Sequence, residues 1–413
     1  MKLNAIVGQS GGPTSAINAT LAGVISEALA SEFIDTLYGA KNGIDGIISD
    51  DLVNLTDLFS GDGASEDLEL LKTTPAAALG SCRHKLPKST DDDSNGVYAK
   101  LFEAFKKYNI GYFFYIGGND SMDTVMKLCS VAKQFGAEHI RFVGVPKTID
   151  NDLCETDHTP GYGSAAKYIA SVMQGVLYDC AVYTVRSVTI VEIMGRDSGW
   201  LTCAAALPRL NGRAPDYVYL PEVDFDNEKF INDIKKAHET HPNVVVAVSE
   251  GIRYSDGRYV GESNQSGATD VFGHKYLAGA GKTLEQLVKA ELGCKVRSFE
   301  LSLPQRSASF CLSLCDIEES FGVGKASVNS AMKGESGVVL AYVRSSEANE
   351  YKITYESVDI KKAANRVKTV PVEFISHDHN NVTDKCLEYI SPMLLGEPKL
   401  KYMNGIPVHY IIK

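Results

Sequence analysis

Three segments of this chain share one order: an apolar strand, a turn with glycine or proline and polar side chains, and a following helix. The strands are expected at residues 3–7, 110–116 and 143–145. This alternation favours parallel strands joined by helical crossovers, because each crossover helix covers one face of the sheet. Ligands bind at the carboxyl ends of strands in such sheets. The sequence therefore predicts an α/β fold whose site lies at these turns.

The size and charge of the chain limit the classes of function that it can have. Its 413 residues are enough for two domains or for one large domain with insertions, and its 44% hydrophobic and 23% charged residues are as in ordinary globular proteins. A formal net charge of −11 and the lack of a long Lys/Arg run argue against nucleic acid as a partner. Anionic substrates would need local basic clusters against this field.

The cysteines and the apolar runs indicate a compartment. Nine cysteines are scattered without a C-x-x-C pair, which is typical of buried thiols in a reducing compartment. The chain starts with a strand pattern rather than a signal peptide, and no apolar run reaches the ~18 residues of a membrane span. We therefore expect a cytoplasmic protein that does not contact membranes.

The turn after the third strand has the richest chemistry. Residues 143–152 read V-G-V-P-K-T-I-D-N-D, so that Lys147, Thr148, Asp150 and Asp152 fall within six positions. One carboxylate can accept a proton from an attacking hydroxyl, another can hold a metal ion, and the lysine can bind phosphate. The structural alternative is a polar turn whose Asp or Thr caps the next helix.

The other two turns add glycines and cations. Gly8, Gly11 and Gly12 allow backbone N–H groups to approach a ligand at the start of a helix, although an ordinary tight turn would look similar. The second turn, residues 117–121, reads G-G-N-D-S. Arg83 belongs to a cationic cluster that could equally be a solvated surface. Three such turns in one series are difficult to explain by helix capping alone.

In order, the chain carries G-G-P, L-G-S-x-R, I-G-G-N-D-S, P-K-T-I-D-N-D and M-G-R. With these motifs it resembles the phosphofructokinase family, and within it the pyrophosphate-dependent members. The resemblance runs from about residue 8 to residue 306. It implies an α/β fold of two Rossmann-like domains, with mostly parallel sheets flanked by helices and the active site in the cleft between them. We expect a donor-binding domain of residues 1–161 plus about 305–355, and a sugar-phosphate domain of 162–304 plus about 356–413.

The resemblance also implies a reaction. Pyrophosphate would phosphorylate fructose 6-phosphate at its 1-hydroxyl, giving fructose 1,6-bisphosphate and phosphate. This transfer would be reversible and Mg²⁺-dependent, would serve glycolysis and gluconeogenesis, and would be carried out by a homodimer or homotetramer.

By the same resemblance, the predicted site residues have four roles. Asp150 would be the general base, assisted by Arg83 and Lys147. Pyrophosphate would contact Gly11, Gly12, Asp120 and Lys147. The sugar phosphate would contact Thr148, Asp150, Asp152, Met194, Gly195, Arg196, Glu250, Arg297 and Arg306. Mg²⁺ would be held by Asp120, Asn119 and Asp152.

Three side chains favour pyrophosphate over ATP as the donor. Asp120 adds bulk and negative charge where relatives that use ATP have glycine beside the α-phosphate. Lys147 can pair with the terminal charge of pyrophosphate, and Thr124 replaces a glycine beside adenosine. The alternatives are an ATP-dependent kinase, a non-catalytic subunit of the same fold, which should have lost the D-N-D carboxylates, and a dinucleotide-dependent oxidoreductase, for which no G-x-G-x-x-G follows the first strand.

This sequence departs from the family pattern at three positions. Asn119 stands where the family usually has a magnesium aspartate, and brings an amide oxygen without charge. Ser187 replaces an arginine that crosses a subunit interface in many relatives, with Arg186 adjacent to it. Leu303 replaces His or Tyr. The resemblance does not explain residues 361–413.

Overall fold

The computed structural model describes residues 2–262, 277, 279–345 and 351–412. The strands are β1 Leu3–Gln9, β2 Ile34–Ala40, β3 Leu52–Asn54, β4 Ile110–Gly117, β5 Arg141–Pro146, β6 Ser187–Ile193, β7 Tyr217–Tyr219, β8 Asn243–Ser249, β9 Lys295–Glu300, β10 Val338–Arg344, β11 Ile353–Asp359, β12 Tyr402–Met403 and β13 Ile406–Pro407. The strands expected at residues 3–7, 110–116 and 143–145 all form, as β1, β4 and β5.

Helices connect most of these strands. They are α1 Ile17–Ala30, α2 Ile44–Ser49, α3 Leu55–Leu58, α4 Ala64–Lys72, α5 Val97–Lys107, α6 Asn119–Val131, α7 Tyr162–Cys180, α8 Trp200–Cys203, α9 Asn227–Ala237, α10 Ala280–Leu292, α11 Leu314–Met332, α12 Ile360–Ala363 and α13 Asp384–Ile390. Over the described ranges, no helix combines the length and apolar character needed to cross a bilayer.

The strands β1–β11 form two sheets, and β12 pairs with β13 in a separate short hairpin. The larger sheet has the order β11-β10-β5-β4-β1-β2-β3, with antiparallel pairing only at its two ends. The smaller sheet has the order β7-β8-β6-β9 and is parallel throughout. This confirms the predicted α/β fold with mostly parallel sheets.

The central strand of the larger sheet is buried on both faces. Phe113 and Tyr115 of β4 belong to one hydrophobic cluster, whereas Phe114 and Ile116 belong to the cluster on the other face. Alternate side chains of a strand point to opposite faces, so a strand covered by helices on both sides is apolar at every position. This explains the uninterrupted aromatic run of the sequence.

Two glycines allow α1 and α11 to pack closely over this sheet. A Cβ added at Gly23 would lie 2.0 Å from the carbonyl oxygen of Phe321, and one added at Gly324 would lie 2.1 Å from that of Thr20. No side chain fits at either position. This contact holds α11, which lies late in the chain, against the first helix α1.

The segment after β10 divides between the two halves. The boundary expected at about residue 355 falls inside β11, and Ile360 and Ala363 of α12 pack into the core of the larger sheet. Residues 370–393 instead contribute Val370, Leu387 and Ile390 to the cluster around α7 and the smaller sheet. The chain then returns, and Tyr410 packs against Phe59 with ring centroids 5.4 Å apart.

Candidate active site

A cleft of about 650 Å³ lies where the carboxyl ends of the two sheets face each other. Turns after β1, β4 and β5 line one side, and the turns after β6 and β8 line the other. Of the predicted site residues, all but Arg297 line it: Gly11, Gly12, Arg83, Asn119, Asp120, Lys147, Thr148, Asp150, Asp152, Met194, Gly195, Arg196, Glu250 and Arg306. The structure therefore brings together motifs that are far apart in sequence.

The turn after β1 lies against a buried ammonium group. Lys147 is 3% exposed, and its Nζ donates a hydrogen bond to the carbonyl oxygen of Gly12 at 2.5 Å. Gly11 has a φ of +78°, and a Cβ there would lie 3.3 Å from that Nζ. At Gly12, a Cβ would lie 3.1 Å from a guanidinium nitrogen of Arg306. Two cations thus meet a backbone that is kept open by glycine.

Burial and neighbouring charges shift the pKa of Lys147. Burial lowers its pKa to about 8, and the cations of Arg306 and Arg83 act in the same direction. The carboxylates of Asp150 and Asp152 oppose this effect. The amine is therefore charged at neutral pH and begins to lose its charge in mildly alkaline solution.

The loop formed by residues 147–153, the D-N-D loop, presents two carboxylates to the cleft. Burial raises the pKa of Asp150, an effect that Arg196 and Lys147 partly offset. Burial and the charge of Asp150 raise the pKa of Asp152 to about 7. Two like charges in a partly desolvated site favour protonation of one of them. A carboxylate of this kind can exchange a proton near neutral pH.

The D-N-D loop depends on an unusual backbone conformation. Asn151, between the two aspartates, is fully buried and has a φ of +53°, in the left-handed region that asparagine tolerates better than most residues. Before it, the Thr148 hydroxyl accepts a hydrogen bond from the backbone N–H of Asp150 at 3.1 Å. The loop is thus a defined turn rather than a helix cap.

The turn of residues 194–196, the M-G-R turn, faces this loop from the smaller sheet. Gly195 and Arg196 have φ values of +142° and +50°. Glu250 accepts hydrogen bonds through Oε1 from the backbone N–H groups of both residues, at 3.2 and 3.1 Å. Burial raises the pKa of Glu250 to about 8, against the effect of these hydrogen bonds. Glu250 therefore holds the turn, a role that the sequence did not reveal.

Close packing behind the M-G-R turn requires glycine. A Cβ at Gly251 would lie 1.6 Å from the carbonyl oxygen of Arg196, closer than any side chain allows. In front of the turn, the backbone N–H of Met194 donates to Gln305 Oε1 at 3.3 Å. The turn is held from both sides.

The donor atoms near Asn119 fit a weakly held hard cation. Asn119 Nδ2 donates to the carbonyl oxygen of Arg366 at 2.5 Å, while its Oδ1 is buried and has no hydrogen-bond partner among the described residues. Asp120 and Asp152 line the same cleft. Over the ranges that the structure describes, no three His, Cys, Asp or Glu side chains form a complete metal cage. Mg²⁺ usually takes one or two carboxylates together with substrate phosphates, so these residues fit it.

Arg297 lies apart from the other predicted residues. It is exposed on β9, an edge strand, where it pairs with Thr189. Sequence patterns predict a strand but not its place in the sheet. Arg186 likewise points elsewhere, since it donates to the carbonyl oxygen of His238 at 3.3 Å. Ser187 bonds to Asn243, and Leu303 is exposed.

Some residues that shape the cleft were missed by sequence reasoning. Thr14, Tyr259 and Val367 line it, and Lys368 lies directly behind the D-N-D loop. Val367 and Lys368 come from the C-terminal segment that no recognisable pattern covers. A lone lysine in such a segment carries no sequence signal of its own.

The fold and the cleft together define a class of protein. It is an α/β protein in which glycine-containing turns suited to bind phosphate and a pair of carboxylates meet between two sheets. The phosphofructokinase family model matches residues 4–311, and the chain belongs to this family. Among its relatives, the pyrophosphate–fructose 6-phosphate 1-phosphotransferase of Methylococcus capsulatus is 38% identical over 98% of this chain and 94% of the relative. The enzyme of that name from Xanthomonas campestris pv. campestris is 39% identical over 99% and 96%.

A solved structure shows the same architecture. The pyrophosphate-dependent phosphofructokinase from Nitrosospira multiformis superposes with a TM-score of 0.86 at 34% identity, over 98% of this chain and 95% of that one. The likeness therefore extends past residue 311, into the C-terminal segment.

Proposed function

We propose that this protein transfers a phosphoryl group from pyrophosphate to the 1-hydroxyl of fructose 6-phosphate. The observation that carries the proposal is the position of Lys147. Its ammonium group touches the donor-side glycine turn at 2.5 Å and lies on the same loop as Asp150 and Asp152. One loop thus joins a site for the anionic donor to a site for the acceptor. The names of the relatives support the same reaction.

In the proposed reaction, Asp150 accepts the proton of the sugar 1-hydroxyl while that oxygen bonds to the transferred phosphorus. The anhydride P–O bond breaks, and phosphate leaves. Lys147 and Arg83 neutralise the charge on the transferring group and on the leaving phosphate. A raised pKa suits Asp150 to this role, because a base is most effective when its pKa approaches the working pH.

On the sugar side, we propose that Arg306 and Arg196 bind the sugar phosphate, since a guanidinium meets phosphate oxygens in a bidentate manner. Thr148, Asp152, Met194, Gly195 and Glu250 would complete the contacts to the sugar. Arg297 is exposed on its edge strand and lies outside the cleft of its own chain. Its contact to a sugar phosphate would thus be made in a neighbouring subunit, which supports a homodimer or homotetramer.

We propose that Mg²⁺ is held by Asn119, Asp120 and Asp152 together with pyrophosphate oxygens. When bound, the ion would neutralise the charge of the donor. Asn119 brings only a neutral oxygen, so the affinity depends on the two carboxylates.

We propose two domains with interleaved sequence. Residues 1–161 plus about 305–355 would bind the donor, and 162–304 plus about 356–413 would bind the sugar phosphate. This division is supported up to β10, because β1–β5 and β10 share one sheet whereas β6–β9 form the other. β11 and α12, which pack with the larger sheet, extend the first domain to about residue 364. We further propose that the enzyme is cytoplasmic and that the reaction is reversible.

The test compares donors. Initial rates with fructose 6-phosphate and Mg²⁺ are measured with pyrophosphate or ATP, for wild type and for Asp120→Gly/Lys147→Gly. We expect wild type to use pyrophosphate only and the double variant to gain some use of ATP, because bulk and negative charge beside the α-phosphate are removed. Asp91→Gly/Lys399→Gly makes the same charge change at exposed positions and should not alter the preference.

Equal rates of the wild type with both donors would contradict the choice of donor. Inactivity with both would overturn the proposed reaction and favour a non-catalytic subunit.

A further inference from the structure

The segment of residues 367–370 lies between the two turns that face each other across the cleft. Val367 forms an antiparallel bridge with Leu153, and the backbone N–H of Lys368 donates to the carbonyl oxygen of Asp152 at 2.7 Å. These residues lie beyond the 4–311 range of the family match. We call this segment the splint.

The side chain of Lys368 holds the D-N-D loop from behind. Its Nζ donates to Asn151 Oδ1 at 3.2 Å and to the carbonyl oxygens of Thr156 and Asp157 at 3.2 and 2.7 Å. These three acceptors use all three donors of the ammonium group. Burial lowers the pKa of Lys368 to about 8, against the charges of Asp157 and Asp152, so the group is charged at neutral pH.

The backbone of the splint is fixed to the region after the M-G-R turn. The carbonyl oxygen of Lys368 accepts hydrogen bonds from Ser198 Oγ and Trp200 Nε1, both at 3.1 Å. Glu222 Oε1 accepts from the backbone N–H groups of Gly199 at 2.8 Å and Val370 at 2.9 Å. The carbonyl oxygen of Lys368 thus bonds directly to residues 198 and 200, and the backbone N–H of Val370 shares the carboxyl oxygen of Glu222 with Gly199.

Lys368 therefore connects the D-N-D loop to the segment that directly follows the M-G-R turn. Asn151 has a left-handed backbone and lies between Asp150 and Asp152, so a shift of its amide moves both carboxylates. Small errors of position are costly, since a displacement of about 1 Å can reduce a rate on the order of 100-fold.

We infer that Lys368 is a positioning residue for phosphoryl transfer, whose ammonium group, acting through Asn151, keeps the two aspartates in place relative to the M-G-R turn. The inference rests on the proposed function, because it assigns Asp150 and Asp152 to that reaction. Lys368 itself is not among the described residues that line the cleft.

The first test replaces the ammonium group by an isosteric apolar chain. In Lys368→Met we expect kcat per folded enzyme to fall about 10- to 100-fold, with a smaller rise in the KM for pyrophosphate, because the hydrogen bonds of Lys368 Nζ go to Asn151, Thr156 and Asp157 rather than to the glycine turn or Lys147. Lys361→Met, an exposed lysine on α12, is the matched control and should keep the wild-type kcat. If Lys368 had only a structural role, Lys368→Met would lower the melting temperature and leave kcat unchanged.

The second test asks whether Lys368 acts through Asn151. Glycine tolerates the left-handed backbone, so Asn151→Gly removes only the amide. We expect Lys368→Met/Asn151→Gly to lose little more activity than the worse single variant, because both single variants remove the Lys368–Asn151 hydrogen bond. Additive losses would contradict this route. Lys368→Arg, which keeps the charge, should recover part of kcat, and it serves as the informative variant if Lys368→Met does not fold.

A third measurement does not depend on activity. Amide hydrogen exchange should become faster at residues 149–157 and 196–200 in Lys368→Met, with α5 unchanged. If wild type is inactive with pyrophosphate, the proposed function fails. The exchange measurement then still tests whether Lys368 holds the D-N-D loop in place. If wild type is active and Lys368→Met keeps both kcat and slow exchange, the inference is overturned.

Discussion

The D-N-D loop and the M-G-R turn are both held by a buried side chain, one by a hydrogen-bond donor and the other by a hydrogen-bond acceptor. Each contains a non-glycine residue in the left-handed region, Asn151 or Arg196. The D-N-D loop is held by a hydrogen-bond donor, the ammonium group of Lys368, which binds Asn151 Oδ1 in the loop and the carbonyl oxygen of Asp157 just after it. The M-G-R turn is held by a hydrogen-bond acceptor, the carboxyl group of Glu250, which binds the backbone N–H groups of Gly195 and Arg196.

The difference shows that only one of the two braces also balances charge. The ammonium group of Lys368 is charged at neutral pH and opposite in sign to the two aspartates, so it lowers the cost of burying them. The carboxyl group of Glu250, whose pKa is raised to about 8, is largely protonated at neutral pH and supports the turn of Arg196 through hydrogen bonds rather than charge.

The largest effect is expected from the D-N-D loop itself. Asp150→Asn keeps the size of the side chain but removes the proton acceptor, and kcat should fall by a factor of about 10² to 10⁴. Steady-state rates with saturating pyrophosphate and fructose 6-phosphate measure this. Asp91→Asn, at an exposed position, is the control. If Asp150→Asn kept a kcat within a few-fold of wild type, Asp150 would not be the proton acceptor, and the D-N-D loop would have only a structural role.

A smaller effect is expected when the brace of the M-G-R turn is removed. Glu250→Ala leaves the N–H groups of Gly195 and Arg196 without their buried acceptor, which should lower the free energy of unfolding by about 1–3 kcal/mol. Glu250→Gln keeps one acceptor oxygen and should lose less. Urea unfolding at pH 7 measures both. Equal stability of Glu250→Ala and wild type would contradict the bracing role of Glu250.

The smallest effect is a pH dependence of the rate that distinguishes two groups of the D-N-D loop, the carboxyl group of Asp152 and the ammonium group of Lys147. The raised pKa of Asp152, about 7, predicts that kcat/KM for pyrophosphate falls as the pH drops below 7 and the carboxyl groups take up protons. The lowered pKa of Lys147, about 8, predicts a second fall as the pH rises past 8 and the ammonium charge is lost. The maximum should lie between these values.

Pyrophosphate also ionises in this range, so a variant must isolate the contribution of the protein. Lys147→Arg keeps its charge at alkaline pH, and its upper limb should move to higher pH. Identical upper limbs in both proteins would assign that limb to the substrate instead.

Much of the cleft was predictable because its residues sit in short segments with strong local patterns. Each strand with the turn that follows it, including the glycines at 11 and 12 and the cluster from Lys147 to Asp152, is a short stretch of consecutive residues. Parallel strands bring their carboxyl ends to one edge, so these local patterns also predict that the turns meet.

The residues that were missed depend on contacts that no local pattern encodes. Lys368 reaches Asn151 across 217 positions. Glu250 was predicted as a sugar contact, and it lines the cleft; what was missed is its hydrogen bonding to Gly195 and Arg196, which depends on the pairing of β6 with β8. For Arg297 the strand was expected, but the place of β9 at the sheet edge follows from strand order, which depends on tertiary packing.

The position of β10 has a consequence for the order in which the protein assembles. β10 pairs with β5, yet it is synthesised about 190 residues later, after the whole smaller sheet. At roughly 5–20 residues per second, β5 would expose an unpaired edge for on the order of ten seconds or more during translation. An open apolar edge can pair with other chains. The nascent chain is therefore most exposed to aggregation between the completion of its first turns and the arrival of β10.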